Sequence, residues 1–295
     1  MSSARRSRAS LHAISLALAA LVFAAMALAT KLAAARLPGP EIAFIRFLIG
    51  LAACALAATR FRLRARNKLG LFMRGAYGGA AVLFYFIGIA HLPVGIATLL
   101  NYTAPVFTAI YAAAFLGEAI TRATLGALGL TSVGVVMVML GTAPAGSLML
   151  GRWQLVGVLS AMLSGAAVAT IREVRKTDGS WEIFAAFCLA GAVISAGPAL
   201  AAWVAPRPVE WLILAAVGVT SVVGQLLMTH ALRYVRAAVG GIIAQLTPVT
   251  SLALGWVLFD DRIGGLALAG AALTLAGVSV GAYLAAGRES DPVAE

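Results

Sequence analysis

Long apolar runs alternate with short polar segments along the whole chain. The runs contain about 20 residues each, which is the length that an α-helix needs to cross the hydrocarbon core of a bilayer. The pattern predicts ten transmembrane helices, and no segment between them is long enough for a soluble domain. The predicted helices cover residues 11–30, 42–59, 70–90, 93–117, 122–141, 153–171, 182–204, 211–231, 237–259 and 263–286.

Two of these runs, at 92–118 and 235–261, match each other after a shift of 143 positions. The shift aligns a proline, a terminal acid and a later glycine, and a constant offset of this kind indicates an internal repeat. The aligned pairs are Pro105 with Pro248, Glu118 with Asp261, and Gly134 with Gly277.

The polar segment 142–152 is the natural joint between the two copies. We expect one five-helix repeat at 11–141 and a second at 153–286, between tails at 1–10 and 287–295. Because five is odd, consecutive copies enter the membrane from opposite sides. The predicted fold is an all-α polytopic membrane protein with ten transmembrane helices, arranged as two inverted five-helix repeats around a central cavity. Such repeats are typical of secondary transporters.

Composition supports the membrane assignment, and the distribution of charge predicts the orientation. Hydrophobic residues make up 62% of the chain and charged residues 11%, against roughly 25% charged residues in a soluble domain. The net charge of +11 lies in short segments between the apolar runs, so nucleic acid is not an expected partner. Most of the 22 lysines and arginines fall on one side. The positive-inside rule then predicts cytoplasmic termini in a bacterial-type inner membrane.

The first apolar run, at 11–30, follows the basic residues Arg5, Arg6 and Arg8 and ends in small residues, and in this it resembles a secretory signal. It exceeds the usual signal core of about 7–15 residues. We therefore expect it to be retained as the first transmembrane helix.

No catalytic or metal-binding pattern accompanies the apolar runs. Cys54 and Cys188 each lie inside a run and lack the spacing of a metal or haem site, so we interpret both as free, buried thiols. The acidic pair Asp260–Asp261 has no second acidic motif. We predict no enzyme activity, no cofactor and no metal; an enzyme acting on a lipid-linked substrate is a remote alternative.

The ten short-looped helices, the repeat and the paired prolines resemble the drug/metabolite transporter superfamily, EamA type. Asn101-Tyr102 followed by Pro105 is also similar to the aromatic amino acid exporters of that superfamily, although Ala104 stands where those exporters carry an aromatic residue. The resemblance implies a basket of helices around a cavity with alternating access. It also implies that the first, third, fourth, sixth, eighth and ninth helices line this cavity.

Polar residues beside the two prolines are the main candidates for the substrate site. Asn101, Pro105 and Thr108 are spaced to share one face of the fourth helix. The corresponding face of the ninth helix carries Gly241, Gln245, Pro248 and Ser251. These faces could converge on a substrate that carries an amine and a carboxylate. Alternatively, Asn101 and Gln245 hydrogen-bond a neighbouring helix.

Further candidates come from the other predicted cavity helices. Aromatic and amide side chains suit an amphipathic organic solute, and each could equally serve ordinary helix packing. The additional cavity candidates are Tyr102, Tyr85, Ser164 and Gln225, and the candidate hinges are Pro105, Pro248, Gly95 and Gly241.

Arg46 is the one strong cation that the predicted spans place well inside the membrane, about six residues from the start of the second helix. It could bind a substrate carboxylate. Alternatively, its long side chain reaches the outer interface or pairs with a backbone carbonyl. We favour the structural alternative, because the second helix is not among the implied cavity helices.

All eleven acidic residues fall in loops, tails or span ends. Proton- or sodium-driven carriers commonly need a carboxylate inside the membrane. We therefore predict a facilitative exporter of small amphipathic metabolites, with aromatic or other neutral amino acids as the main class. The alternatives are a proton-coupled exporter of drugs or nucleosides, with His230 as the candidate proton site. A monomer suffices because it contains both repeats, and a homodimer is possible.

Overall fold

The computed structural model describes residues 3–60, 64–116, 122–141, 151–231, 243–261 and 263–289, and α-helix is the only regular structure in these ranges. Short turns connect most of the helices. The helices are α1 (Ser3–Ala33), α2 (Gly39–Ala58), α3 (Lys68–His91), α4 (Val94–Asn101), α5 (Ala104–Leu116), α6 (Arg122–Gly141), α7 (Arg152–Val174), α8 (Ser180–Ala201), α9 (Pro208–Ala231), α10 (Leu246–Phe259) and α11 (Gly265–Glu289).

Local side-chain chemistry explains where particular helices begin and end. Asn67 precedes α3, and its Oδ1 accepts a hydrogen bond from the Gly70 N–H at 2.8 Å, which satisfies one of the free donors of the first turn. Asp260 follows α10 in the left-handed conformation, with φ of 51°. The Asp261 N–H then donates to the Gly255 carbonyl at 3.3 Å, a typical way to close a helix C-terminus.

Ten apolar helical segments coincide with the ten predicted spans. Six are long and apolar enough to cross a membrane, and four are shorter. Large apolar side chains on the outer surface are strongly exposed, including Leu56 at 73%, Leu212 at 71% and Val257 at 70%. A surface of this kind is stable against lipid rather than water. The prediction of an all-α, multi-pass membrane protein is confirmed.

The fourth predicted span is interrupted just before Pro105. α4 ends at Asn101, the next residue Tyr102 has φ of −77° and ψ of 5°, and α5 starts after Thr103. The Thr103 backbone N–H and hydroxyl both donate to the Leu100 carbonyl, at 3.2 and 2.7 Å. These bonds satisfy polar groups that hydrocarbon would leave without partners.

The ninth predicted span is interrupted at the equivalent place. Gln245 forms a turn immediately before α10, three residues ahead of Pro248. Gln245 stands 143 positions after Tyr102, so the two interruptions obey the same offset as the two prolines. Both repeats therefore break a helix at the same point of their sequence.

A reciprocal contact of glycines and threonines joins α6 to α11. A Cβ at Gly134 would lie 2.5 Å from the Thr274 backbone nitrogen, and a Cβ at Gly277 would lie 2.7 Å from the Thr131 backbone nitrogen. Each threonine hydroxyl donates to the carbonyl four residues earlier, at 2.9 and 2.8 Å. The offset of 143 converts Gly134 into Gly277 and Thr131 into Thr274. Exchanging the repeats therefore maps the contact onto itself.

The two helices of this contact run antiparallel. Gly141 at the end of α6 meets Ala267 near the start of α11, whereas Ala127 lies against Gly277. A two-fold axis between antiparallel helices is perpendicular to them and so lies in the plane of the membrane. The predicted inversion of the repeats is thus confirmed. Other contacts obey the same exchange, since α1 packs on α9 as α3 packs on α7, and α2 packs on α8.

We predict that Gly134→Ala and Gly277→Ala each destabilise the protein, by about 1–3 kcal/mol, because the new methyl group would overlap the backbone of the facing helix. The two losses should be similar, since the contact is reciprocal. The melting temperature of the purified protein in detergent measures this effect.

The matched control is Gly129→Ala on α6, where an added Cβ would have no neighbour within 4 Å. It should be neutral or slightly stabilising, because alanine favours helix by about 1 kcal/mol over glycine. Equal destabilisation by all three substitutions would contradict the close contact.

Candidate functional site

Asn101 connects the interrupted helix with two others. Its side-chain amide donates to Ser160 Oγ at 2.6 Å and to Ser164 Oγ at 3.2 Å, both on α7. The Ser160 hydroxyl in turn donates to the Ala81 carbonyl of α3 at 2.8 Å. We call Asn101, Ser160 and Ser164 the Asn101 cluster. Asn101 and Ser164 were candidates for the substrate cavity from the sequence, but Ser160, which is fully buried, was not.

Tyr85 lies on α3 about one turn beyond Ala81 and faces α4. Its hydroxyl and the Thr98 hydroxyl are 2.9 Å apart. Because the Thr98 hydroxyl donates to the Val94 carbonyl at 2.7 Å, Tyr85 is the donor to Thr98. Both side chains are buried, so this polar pair is enclosed by protein.

Tyr102 joins the interruption of the first repeat to the second repeat. Its side chain lies next to the side chain of Thr247 at the start of α10. The Thr247 hydroxyl donates to the Ala20 carbonyl of α1 at 3.1 Å. The two interruptions are therefore in direct contact, and α1 completes the contact.

Thr108 and Pro105 lie in different surroundings. The Thr108 hydroxyl is 3.0 Å from the Ala104 carbonyl and 3.3 Å from the Gly165 carbonyl of α7. Thr108 and Asn101 thus both face α7, whereas Pro105 is exposed. In this conformation Asn101 makes the helix-to-helix hydrogen bonds that were the alternative to substrate binding, and Thr108 also reaches a carbonyl of α7.

The candidates of the second repeat are partly enclosed. Gln245 is buried, and Gln225 on α9 is half-buried. Ser251 is buried, and its hydroxyl has no hydrogen-bond partner among the described residues. Pro248 is also buried. Three further residues of interest lie outside the described parts, either wholly or in their side chains: Glu118, Gly241 and His230.

Gly95, a candidate hinge, permits the close approach of α4 and α10. A Cβ there would lie 2.5 Å from the Leu252 Cα. The position therefore allows no side chain while these two helices are packed together.

The end of the bundle that carries the α1–α2 turn holds the two repeats together through polar contacts. Arg36 forms a salt bridge with Glu210 at the start of α9. The Val204 N–H donates to Glu41 Oε2 at 3.0 Å, and the Val94 N–H donates to Asp261 Oδ2 at 3.2 Å. Burial raises the pKa of Asp261, and the Val94 N–H and the charge of Lys31 oppose this shift only in part.

The opposite end, which carries the α2–α3 connection, is held by Asp178. Its two carboxylate oxygens accept the backbone N–H groups of Arg66, at 2.7 Å, and Asn67, at 3.0 Å. Burial acts to raise the pKa of Asp178, but these bonds and one from the Thr177 hydroxyl outweigh it and lower the pKa. Contacts between the repeats therefore close both ends of the described bundle.

The expectation that Arg46 reaches the interface or pairs with a carbonyl is wrong. Its side chain is 4% exposed, and its Nε and Nη1 have no hydrogen-bond partner. The guanidinium carbon instead lies 4.6 Å from the Phe47 ring centroid and 5.0 Å from the Phe187 ring centroid. The turns of α2 that carry Arg46 are packed tightly on α8, which encloses the side chain.

Arg74 of α3 shares this environment and was missed from the sequence. It is 6% exposed, its Nε and Nη1 have no hydrogen-bond partner, and its guanidinium carbon lies 4.7 Å from the same Phe187 ring. A desolvated cation–π contact contributes ~2 kcal/mol, whereas burying an unpaired ion costs several kcal/mol. The ring does not offset the cost of two buried cations.

The architecture defines the class of protein. The chain is a multi-pass helical membrane protein whose two inverted repeats meet at their interrupted helices. Sequence comparison adds the family, because the profile of the EamA-like transporter family matches residues 11–140 and 151–282. The chain belongs to the EamA-like transporter family and is a membrane transporter.

The chain is similar to the pseudopaline exporter CntI of Pseudomonas aeruginosa, with 31% identity over 262 residues, which cover 87% of this chain and 90% of that exporter. An uncharacterized transporter of Archaeoglobus fulgidus is 27% identical over 272 residues, which cover 89% of this chain and 94% of that protein. One crystal structure superimposes on 97% of this chain and 99% of its own, with a TM-score of 0.62 and 25% identity.

We predict that Asn101→Ala and Ser160→Ala are coupled in a double-mutant cycle, because each removes the same hydrogen bond. The coupling should be about 0.6–2 kcal/mol, as for other polar contacts between membrane helices. The coupling is measured from the unfolding free energies, in detergent, of the wild type, the two single variants and the double variant. Strict additivity would contradict the contact.

Asp261→Asn should raise the melting temperature at neutral pH. The raised pKa of Asp261 means that the folded protein favours the protonated carboxyl, whose stabilising effect is lost as the pH rises through that pKa. Asparagine is neutral throughout and can still accept the Val94 N–H. The gap between the variant and the wild type should therefore narrow as the pH falls toward 3.8, the ordinary value for aspartate. A gap that widens would contradict this.

Proposed function

We propose that the protein exports small amphipathic metabolites, chiefly aromatic or other neutral amino acids, across a bacterial inner membrane by alternating access. The observation that carries the proposal is the meeting of the two interrupted helices at Tyr102 and Thr247, beside the Asn101 cluster. Polar groups from both repeats converge there within an apolar bundle. Secondary transporters with inverted repeats bind their substrates at such points.

The chemistry of this region suits a solute with hydrogen-bonding and apolar parts. Asn101 offers an amide, Ser160 and Ser164 offer hydroxyls, and Tyr85 and Tyr102 add aromatic rings. In the closed arrangement these polar groups are paired with each other. A bound amine or carboxylate would replace those partners when one end of the bundle opens. The similarity to a pseudopaline exporter also supports export of an organic metabolite.

The transport cycle that we propose follows the solute's own gradient. Among the described residues, the acidic side chains lie at helix ends or in connections, as Glu41, Asp178 and Asp261 do. None lies beside the Asn101 cluster, where a coupling proton or sodium ion would be bound. The arginine-rich end with the α2–α3 connection would face the cytoplasm, and the end held by Arg36 and Glu210 would face outward.

Counterflow in proteoliposomes tests this function. Vesicles loaded with an unlabelled amino acid should accumulate labelled threonine, methionine or phenylalanine without a pH or sodium gradient. Asn101→Ala and Gln245→Ala should reduce the initial rate about tenfold or more, because a lost substrate contact of 1.4 kcal/mol already changes binding tenfold. Melting temperatures establish that both variants are folded.

Thr220→Ala is the matched control, since Thr220 lies on α9 and its hydroxyl bonds only to carbonyls of its own helix. It should keep the wild-type rate. Absence of counterflow with every amino acid would exclude the amino-acid assignment, and transport of lipophilic cations or nucleosides would replace it. Uptake that needs an imposed proton gradient would exclude the facilitative mechanism.

A further inference from the structure

Arg46 and Arg74 form a cationic pair inside the bundle, between α2, α3 and α8. Both side chains are more than nine-tenths buried, and each leaves Nε and Nη1 without a hydrogen-bond partner. Both guanidinium carbons lie within 5.0 Å of the centroid of one ring, Phe187. We propose that this pair is an anion subsite of the transporter and that it receives a carboxylate of the carried solute.

The first argument is the missing counter-charge. In the part of the chain that the structure describes, neither arginine takes part in a salt bridge. Cys188 lies beside both cations, but as a thiol it carries no charge. Arginine stays protonated in proteins, so deprotonation does not remove the charges. Buried charges in stable proteins are paired, and a pair of unpaired ones indicates a site whose anion comes from outside.

The second argument is the geometry of the free donors. Nε and Nη1 of a guanidinium point to different edges of its plane, and each can donate a charge-assisted hydrogen bond to a carboxylate oxygen. These are the atoms that remain free on each arginine. Phe187 contacts the positive groups through its ring and makes no hydrogen bond, so it positions the free donors without occupying them.

The third argument is the position on α3. Arg74, Gly78, Ala81 and Tyr85 follow one another at intervals of four, three and four residues, which places them on one face of the helix. Arg74 thus lies roughly 10 Å along the axis from Ala81, at 1.5 Å per residue. The Ala81 carbonyl accepts from Ser160 of the Asn101 cluster. One extended solute could contact both places.

This inference rests on the proposed export of small amphipathic metabolites, and within that class it shifts the preferred substrate from neutral amino acids to acidic derivatives. Two cations are best balanced by two negative charges, so the subsite favours an amino-acid derivative with a second carboxylate over a simple neutral amino acid. The solute's amine and apolar parts would then lie toward Asn101 and Tyr85. A carboxylate that leaves the subsite with the solute exposes both cations again, which favours rebinding of another anion.

Ligand-induced stabilisation tests the subsite without transport. The purified wild-type protein in neutral detergent would be melted with sodium glutarate, with the uncharged diamide glutaramide, with inorganic phosphate, and with sodium chloride at equal ionic strength. Glutarate at saturation should raise the melting temperature by about 5 °C. Glutaramide and chloride should shift it by less than about 1 °C, because neither offers two oxygens with charge.

Arg46→Gln and Arg74→Gln should each abolish the glutarate shift. Each variant should also melt at or above the wild-type temperature without ligand, because it removes an unpaired buried charge. A purely structural role of the arginines predicts the opposite order of melting temperatures. Arg46→Lys, which keeps the charge but not the separate Nε and Nη1 donors, should retain only part of the shift. The matched control is Arg152→Gln, since Arg152 also contacts an aromatic ring, Trp153, but is exposed; it should keep the full shift.

Several outcomes would overturn the subsite. Equal shifts with glutarate and glutaramide, or a glutarate shift that survives Arg46→Gln, would show that the pair does not bind carboxylate. Stabilisation by phosphate alone would assign the pair to a phosphate group instead. Amino-acid counterflow with no glutarate shift would refute the subsite and leave the proposed function intact. A glutarate shift without counterflow of any amino acid would support the subsite and refute the proposed amino-acid export.

Discussion

Hydrocarbon offers no hydrogen-bond partners, and this constraint governs nearly every polar contact of the structure. Thr131, Thr274 and Thr98 return their hydroxyl hydrogens to carbonyls of their own helices. Asn101 finds partners on another helix where α4 is interrupted, and Tyr102 lies beside Thr247 at the interruption of the second repeat. Polar groups therefore determine which helices meet at the centre of the bundle, while apolar side chains cover its outside.

A few buried polar atoms are exceptions to this rule. Among the described residues, Glu41 Oε1, the Ser251 hydroxyl and the pair Arg46 and Arg74 keep buried polar atoms without partners. For a hydroxyl the cost is modest, but for two guanidiniums it is large. The glycine-rich packing of α2, α3 and α8 is close enough to enclose these cations, because a Cβ at Gly75 or Gly79 would overlap α8.

Periodicity and composition were sufficient to predict ten spans and the inverted repeat, and the candidate hinges Pro105 and Pro248 lie in the two spans that are interrupted. These features depend on local sequence and on the constant offset. The partners of Asn101 could not be predicted, since Ser160 is a small residue in an apolar run and only the packing of α7 brings it close. Arg74 was not singled out because it lies near the start of its predicted span, yet α8 buries it.

The reciprocal contact of Gly134 with Thr274 and of Gly277 with Thr131 lies on the axis that relates the two repeats. In a carrier whose repeats exchange their conformations, the inward-open and outward-open forms are related by that same axis. A contact on the axis is then identical in both forms and can act as the fixed pivot of the cycle. The strength of this contact determines how stably the two repeats are joined, and it stabilises the inward-open and outward-open forms equally.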